Sequence, residues 1–253
     1  MTLRLFGCLC GQFHGPASGL GMKQEGSVSV PVPFYVLEHP DGVALFDAGL
    51  PAGMVDREES YRQQLREYGM DASLTPDETV TRRLEGLDID PARVRHVVVS
   101  HLHFDHAGGL SELPNATVIV QRREWEAGFD PELSAQYGLR KRYFDLGHEL
   151  KLVDGEHDLF GDGSAVCVPS YGHTPGHQSL RVKSGQGDHI LTADACYNCQ
   201  VVESRSFPEF SDGAAMNRSL DHLLAMREAE TVMVFGHDPE QWGATPILPT
   251  ARA

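Results

Sequence analysis

Short apolar runs bounded by charge, glycine or proline recur along the chain. Val97-Val98-Val99, Val118-Ile119-Val120, Ala165-Val166-Cys167-Val168 and Val232-Met233-Val234-Phe235 are too brief for helices and rich in β-branched residues, which predicts buried strands. Strands are expected over 3–9, 28–37, 43–46, 94–100, 117–121, 165–168, 178–183, 189–193 and 232–235, with short strands and turns from 149 onward. Pro31 and Pro33 place the second strand at a sheet edge or at a bulge, since proline gives no ladder donor. His39-Pro40-Asp41-Gly42 reads as the turn into 43–46. Helices are expected over 57–69, 77–87, 122–128, 132–144 and 213–229. Thr75-Pro76-Asp77-Glu78 caps the second of these, with acids at the positive end of the helix dipole. The charged helices 122–128 and 132–144 are assigned to the outer face. In 213–229, Met216, Leu220, Leu223, Leu224 and Met226 gather towards one side. The Gly-rich stretch 15–26 reads as a surface loop or as a wall of a substrate site. Strands alternating with helices give an α/β chain.

The ends of the strands carry the chemistry. Four times an apolar run stops and a His or Asp follows: His101, His173, Asp194 and His237. Ligand sites in open sheets lie beyond the strand ends, so these residues can converge. The densest segment is His101-Leu102-His103-Phe104-Asp105-His106, followed by Ala107-Gly108-Gly109. In extended backbone, side chains two apart point the same way, so His101 and His103 can grip one ion together. Asp105 and His106 lie past the bend, where a second ion could sit, and the glycines let the chain turn beneath them. With 13 His in 253 residues, this pattern arises by chance on the order of once per four hundred such chains. Imidazole with carboxylate suits zinc and its first-row neighbours rather than calcium or magnesium. Asp47, in Asp47-Ala48-Gly49, is either a turn cap or a residue that orients a metal ligand from behind.

Composition narrows the class. A length of 253 residues without linker, charge block or repeat predicts one domain, 1–253. No apolar stretch approaches the roughly eighteen residues a membrane span needs. Met1-Thr2-Leu3-Arg4-Leu5-Phe6-Gly7-Cys8 lacks the apolar core of a signal peptide. Five cysteines without framework spacing point to reduced thiols and a cytoplasmic setting. Cys8/Cys10 and Cys196/Cys199 are either redox or metal pairs or small buried hydrophobes; the second reading is preferred because the metal already has better ligands. A net charge of −15 repels a phosphate backbone. Arg122-Arg123 and Arg140-Lys141-Arg142 read as solvated helix faces, so neither nucleic acid nor membrane is expected as a partner.

The set HxHxDH followed by His, Asp and His resembles the metallo-β-lactamase superfamily. That resemblance implies a four-layer αββα sandwich with a dinuclear site at one edge. It implies one ion held by His101, His103 and His173, and another by Asp105, His106 and His237, with Asp194 bridging. His177 would orient ligands from outside the set, as would Asp47. Within the superfamily the chain is more similar to the N-acyl-homoserine lactone lactonases. The segments 101–109, Val118-Ile119-Val120-Gln121-Arg122, His173-Thr174-Pro175-Gly176-His177-Gln178-Ser179-Leu180, Asp194-Ala195-Cys196-Tyr197 and Phe235-Gly236-His237-Asp238 carry that likeness.

The likeness implies a small-molecule lactone substrate and two divalent ions, zinc first, with iron, cobalt or manganese as alternatives. A hydroxide between the ions would attack the lactone carbon. Tyr197 would steady the oxyanion, and Asp105 would protonate the departing alkoxide. Phe104 and Tyr197 are the implied substrate contacts. The assembly would be a monomer or homodimer. Pyridoxolactonases and γ-butyrolactonases share much of the pattern. A glyoxalase II-like thioesterase, a persulfide dioxygenase with one iron and a metal-dependent binding module remain as rivals.

Overall fold

The computed structural model describes residues 2–56, 59–67, 69–243 and 247–250. Twelve strands are present among them: β1 (Arg4–Pro16), β2 (Ser27–His39), β3 (Gly42–Phe46), β4 (Asp71–Ser73), β5 (Val94–Val98), β6 (Thr117–Gln121), β7 (Leu150–Val153), β8 (His157–Asp158), β9 (Ala165–Pro169), β10 (Gln178–Ser184), β11 (Gly187–Leu191) and β12 (Val232–Val234). The helices are α1 (Glu59–Glu67), α2 (Val80–Glu85), α3 (Phe104–Ala107), α4 (Arg122–Phe129), α5 (Pro131–Tyr137), α6 (Cys199–Ser204) and α7 (Gly213–Ala225). None of the described helices is long and apolar enough to cross a membrane.

A seven-stranded sheet runs β4-β1-β2-β3-β5-β6-β7 and a five-stranded sheet runs β12-β11-β10-β9-β8. Both faces of each sheet are covered, which is why the strands read as unbroken apolar runs. Alternate residues serve different layers. In the first sheet Val36, Leu45, Val97, Val118 and Val120 face Leu65, Leu84, Leu110 and Ala127 of the α1–α4 side. Tyr35, Phe46, Val98 and Ile119 turn the other way, against Cys167, Leu180, Leu191 and Val234 of the second sheet. Ile190 and Met233 leave that sheet on its far side to meet Val201 of α6 and Leu220 and Leu223 of α7. The result is the αββα sandwich.

Several elements differ from the sequence expectation. β2 is an interior strand, not an edge: it pairs with β1 on one side and β3 on the other. The prolines are accommodated by a bulge, since Leu9 faces Pro33 and Gln12 faces Pro31, so Cys10 and Gly11 together oppose Val32. Gly11 makes this possible: its φ is +82°, and a Cβ there would lie 2.3 Å from the Ser73 carbonyl oxygen. Pro31 turns its own carbonyl to His237. β1 continues to Pro16, so only part of 15–26 is loop. The first helix spans Glu59–Glu67; positions 57, 58 and 68 of the expected range lie outside the described residues. The expected helix 77–87 divides into a 3-10 turn, Pro76–Glu78, and α2. The helix expected over 132–144 ends at Gly138, which takes a left-handed φ of 71°, and a 3-10 turn follows at Lys141–Tyr143. The last helix stops at Ala225 rather than 229.

Candidate metal centre

The strand ends deliver the donors as a set. β3 leads to Asp47, β5 to Ser100 and His101, β9 to His173 and His177, β11 to Asp194, and β12 to His237. α3 starts immediately after His103, which places Asp105 and His106 in its single turn.

Two groups of donors form. In the first, His103 Nδ1 lies 2.8 Å from His101 Nε2 and 3.1 Å from His173 Nε2. Asp194 Oδ2 completes it, 3.2 Å from His173 Nε2 and 3.7 Å from His101 Nε2. In the second, His106 Nε2 is 3.1 Å from Asp105 Oδ2 and 3.3 Å from Asp194 Oδ1. His237 Nε2 is 3.1 Å from Asp194 Oδ1 and 3.5 Å from Asp105 Oδ2. Each group offers donor atoms all within 4.8 Å of one another, and Asp194 belongs to both, one oxygen to each.

These residues fit divalent cations. His106 Nε2 and Asp194 Oδ1 are buried and, although carboxylate and imidazole atoms lie 3.1–3.3 Å away, make no well-directed hydrogen bond, a costly state that an ion relieves. Nitrogen and carboxylate donors in fours match transition ions of the zinc type. The cluster thus has the composition and spacing of a two-ion site.

The outer nitrogens are tied down, which aims the inner ones. Asp47 Oδ2 takes His106 Nδ1 at 2.8 Å, and the same carboxylate accepts the Ser100 N–H at 2.7 Å and hydroxyl at 2.9 Å. Asp47 does this from a left-handed φ of 64°, rare for a residue with a Cβ. His237 Nδ1 donates to the Pro31 carbonyl at 2.8 Å, and His103 Nε2 to the Tyr137 carbonyl at 2.6 Å. Burial, reinforced by the neighbouring imidazoles, pushes the pKa of His101 well down. Burial opposes charge on His106 too, but Asp105, Asp194 and Asp47 outweigh it and hold its pKa well up.

His177 stays outside both groups. It contacts Asp194 through the backbone, Nε2 accepting the Asp194 N–H at 3.1 Å. Tyr197 sits edge-on to both His173 and His237, at 5.6 Å in each case, and so spans the two groups. Its hydroxyl is 3.5 Å from His173 Nδ1. Burial, then the charges of Asp194 and Asp105, push its pKa well up, so it remains an O–H donor. Phe104 lies at the side of the second group, its ring 5.4 Å from Phe13 and 5.8 Å from Tyr143; Phe13 in turn is 5.9 Å from His237.

Sequence reasoning missed five participants. Ser100 and the carbonyls of Pro31 and Tyr137 leave no sequence signal, because their roles are set by where the backbone passes. Glu124 did leave one. With Ala127 and Gly128 it forms the buried stripe of α4 at i, i+3, i+4 spacing, so α4 does not turn all its charge outward. Phe210, 38% exposed, covers the other side of the centre at 5.3 Å from His173 and 5.9 Å from His103.

Comparison with known proteins agrees with this geometry. The family model of the metallo-beta-lactamase superfamily matches residues 29–237. The N-acyl homoserine lactonase AttM of Azorhizobium caulinodans is 33% identical over 250 residues, 95% of each chain. The N-acyl homoserine lactonase AiiA of Bacillus thuringiensis subsp. kurstaki is 29% identical over 225 residues, 88% of this chain and 87% of that one. A solved N-acyl homoserine lactone hydrolase, with the product N-hexanoyl-L-homoserine bound at its catalytic metal centre, superposes with a TM-score of 0.84. It is 28% identical, with 97% of each chain covered.

Proposed function

The chain belongs to the metallo-beta-lactamase superfamily, and from that membership we propose that it is a metal-dependent hydrolase that opens the lactone ring of N-acyl homoserine lactones, silencing bacterial quorum signals. The observation that carries the reading is Asp194 shared between two four-donor groups, with Tyr197 set edge-on across both. The lactonases to which the chain is similar over 95% of its length support the substrate class.

In this reading His101, His103 and His173 hold one ion and Asp105, His106 and His237 the other, with Asp194 between them, all within one hydrolase domain spanning 1–253. Bound there, two divalent ions supply an activated water at neutral pH and polarise the lactone carbonyl. The chain's own groups do the rest. The Tyr197 hydroxyl donates to the carbonyl oxygen, and most strongly to the oxyanion it becomes. Asp105 passes the proton released by the attacking water to the ring oxygen as the C–O bond breaks. The product is then one N-acyl homoserine with a free hydroxyl and a carboxylic acid, which ionises by releasing its proton to solvent. Phe104, backed by Phe13 and Tyr143, gives the substrate an apolar wall. His177 and Asp47 hold ligands in place.

Zinc is the first choice of ion, since the donors are nitrogen and carboxylate and the reaction needs no redox change. None of the described cysteines is in a disulfide, which supports a reducing, cytoplasmic setting. A monomer or homodimer acting on a small molecule is the assembly this reading takes. A glutathione thioesterase would need cationic residues to receive its acidic substrate, which a net charge of −15 does not favour.

The test is hydrolysis of a panel: acyl homoserine lactones, γ-butyrolactone, pyridoxolactone, a glutathione thioester and a β-lactam. Acyl homoserine lactones should give the highest kcat/KM. A thioester or an unsubstituted lactone turned over faster would overturn the substrate assignment and leave the centre standing.

A further inference from the structure

Asp47 secures the second donor group from behind. In the first group Ser100 Oγ reaches His101 Nδ1 at 3.0 Å, but the three imidazoles come from two separate loops. We propose that Glu124 is the positioning residue of the first ion, its carboxylate tying together the loops that carry His101, His103 and His173. The proposal rests on the two-ion centre, not on the identity of the lactone.

Glu124 is fully buried in the first turn of α4. Its Oε1 accepts the backbone N–H of Leu102 at 3.0 Å, and its Oε2 accepts that of Gly176 at 2.8 Å. Leu102 lies between His101 and His103; Gly176 lies between His173 and His177. One side chain therefore gives one oxygen to each loop of the first group. The loops are pressed onto α4 as closely as they can be: a Cβ on Gly176 would fall 2.2 Å from the Glu124 nitrogen, and one on Gly128 would fall 3.0 Å from Leu102 Cδ1. The second group has other supports. His106 hangs from Asp47 and His237 from the Pro31 carbonyl.

The chemistry of the side chain makes the proposal specific. A buried carboxylate is costly to keep, and packing alone would be served as well by an uncharged side chain of equal volume. What a carboxylate alone supplies is two acceptors on one rigid fork. Glutamine keeps the volume but replaces one acceptor with an NH2 group that faces a backbone N–H. One loop is then untied, and a buried donor is left without a partner.

The experiment is a chelator-competition titration of zinc on wild type, Glu124→Gln and Glu124→Asp, with the cobalt-substituted proteins followed by visible absorption. The melting temperature of each metal-free protein is recorded alongside. In Glu124→Gln one of the two ions should weaken by about ten- to a hundredfold, as changes behind metal ligands generally do, while the other keeps its affinity. The cobalt spectrum should change for the three-histidine site alone. Glu124→Asp, with both acceptors on a shorter stem, should recover part of the loss. Parallel weakening of both ions with a lowered metal-free melting temperature would make Glu124 a structural residue only and overturn the proposal, as would two unaltered affinities in Glu124→Gln. A wild type that holds fewer than two ions would instead bring down the two-ion reading, and this proposal with it.

Discussion

The backbone N–H of Asp194 donates to Nε2 of His177 at 3.1 Å. That bond fixes the tautomer of His177, because the remaining network has only one consistent direction. Ser179 Oγ donates to the Thr192 carbonyl at 3.0 Å, so Ser170 Oγ must donate to Ser179 Oγ at 2.7 Å. The Ser170 oxygen is then the acceptor for His177 Nδ1–H at 2.8 Å. Burial holds the His177 pKa down to about 3, which keeps the ring neutral and Nε2 a lone-pair acceptor. A neutral imidazole outside the two donor groups thus places the backbone of the residue both groups share.

Removing that imidazole tests the arrangement. His177→Ala should keep its fold and bind both ions, with affinity or kcat/KM lower by about ten- to a hundredfold, the usual range for residues that orient ligands. Metal analysis after dialysis against a weak chelator, together with steady-state rates, measures it. Complete loss of one ion would show that His177 coordinates directly; no change in either quantity would remove it from the site.

Metal content and stability are linked through the orphaned atoms His106 Nε2 and Asp194 Oδ1. Protein purified without chelator should carry two transition ions per chain. Ions present at about a thousand times their Kd add ~4 kcal/mol each, and a domain of this size moves ~2–4 °C per kcal/mol. Chelation should therefore lower the melting temperature by roughly 15–30 °C. Asp194→Ala, which takes an oxygen from both groups, should approach the melting temperature of the chelated wild type. An unchanged melting curve after verified metal removal would refute the link.

The clustering of these donors was legible in the sequence because each segment that carries them follows an apolar run, and a run followed by His or Asp survives any uncertainty in helix boundaries. Their supports were not. Pro31 pointed to an edge or a bulge; the bulge at Cys10 and Gly11 keeps β2 in the sheet interior and leaves the Pro31 carbonyl free for His237. Tertiary pairing decided that, and no local propensity records it. The helix expected over 132–144 breaks at Gly138 because glycine there takes a left-handed φ; the Tyr137 carbonyl just before the break receives His103. Glu124 was hidden by its neighbours. In Arg122-Arg123-Glu124-Trp125-Glu126 the charges suggest solvent, and only the i, i+3, i+4 stripe with Ala127 and Gly128 shows which one turns inward.

The cysteines give a prediction that needs no metal. Cys8, Cys10, Cys167 and Cys196 are buried, whereas Cys199 is exposed, so the expectation of small buried hydrophobes for Cys8, Cys10, Cys196 and Cys199 holds for three of those four. Burial pushes the Cys167 and Cys196 thiols up to about 12, which leaves almost no thiolate at neutral pH. Native protein should therefore be alkylated once per chain, at Cys199. That reaction should itself be slow, because partial burial and Asp238 raise its pKa as well. Unfolding should release the other four. Two or more rapidly modified thiols in the native state would contradict the packing.

Tyr197 provides the sharpest test of the proposed chemistry, because its ring and its hydroxyl have separable jobs. The ring is 8% exposed and packs edge-on against His173 and His237, a contact that Tyr197→Phe retains. The hydroxyl is a donor that burial and the carboxylates keep protonated. Losing one donor from a preorganised oxyanion site costs roughly 2–4 kcal/mol. Here an ion shares the task, so the lower end applies, on the order of ten- to a hundredfold in kcat/KM. If the hydroxyl acts on the transition state, kcat falls with little change in KM; if it only binds substrate, KM rises and kcat stands. Tyr197→Phe should keep both ions and its melting temperature while opening acyl homoserine lactones more slowly through kcat. Wild-type rates in this variant would leave Tyr197 as packing around the centre, and the oxyanion would then rest on the ions alone.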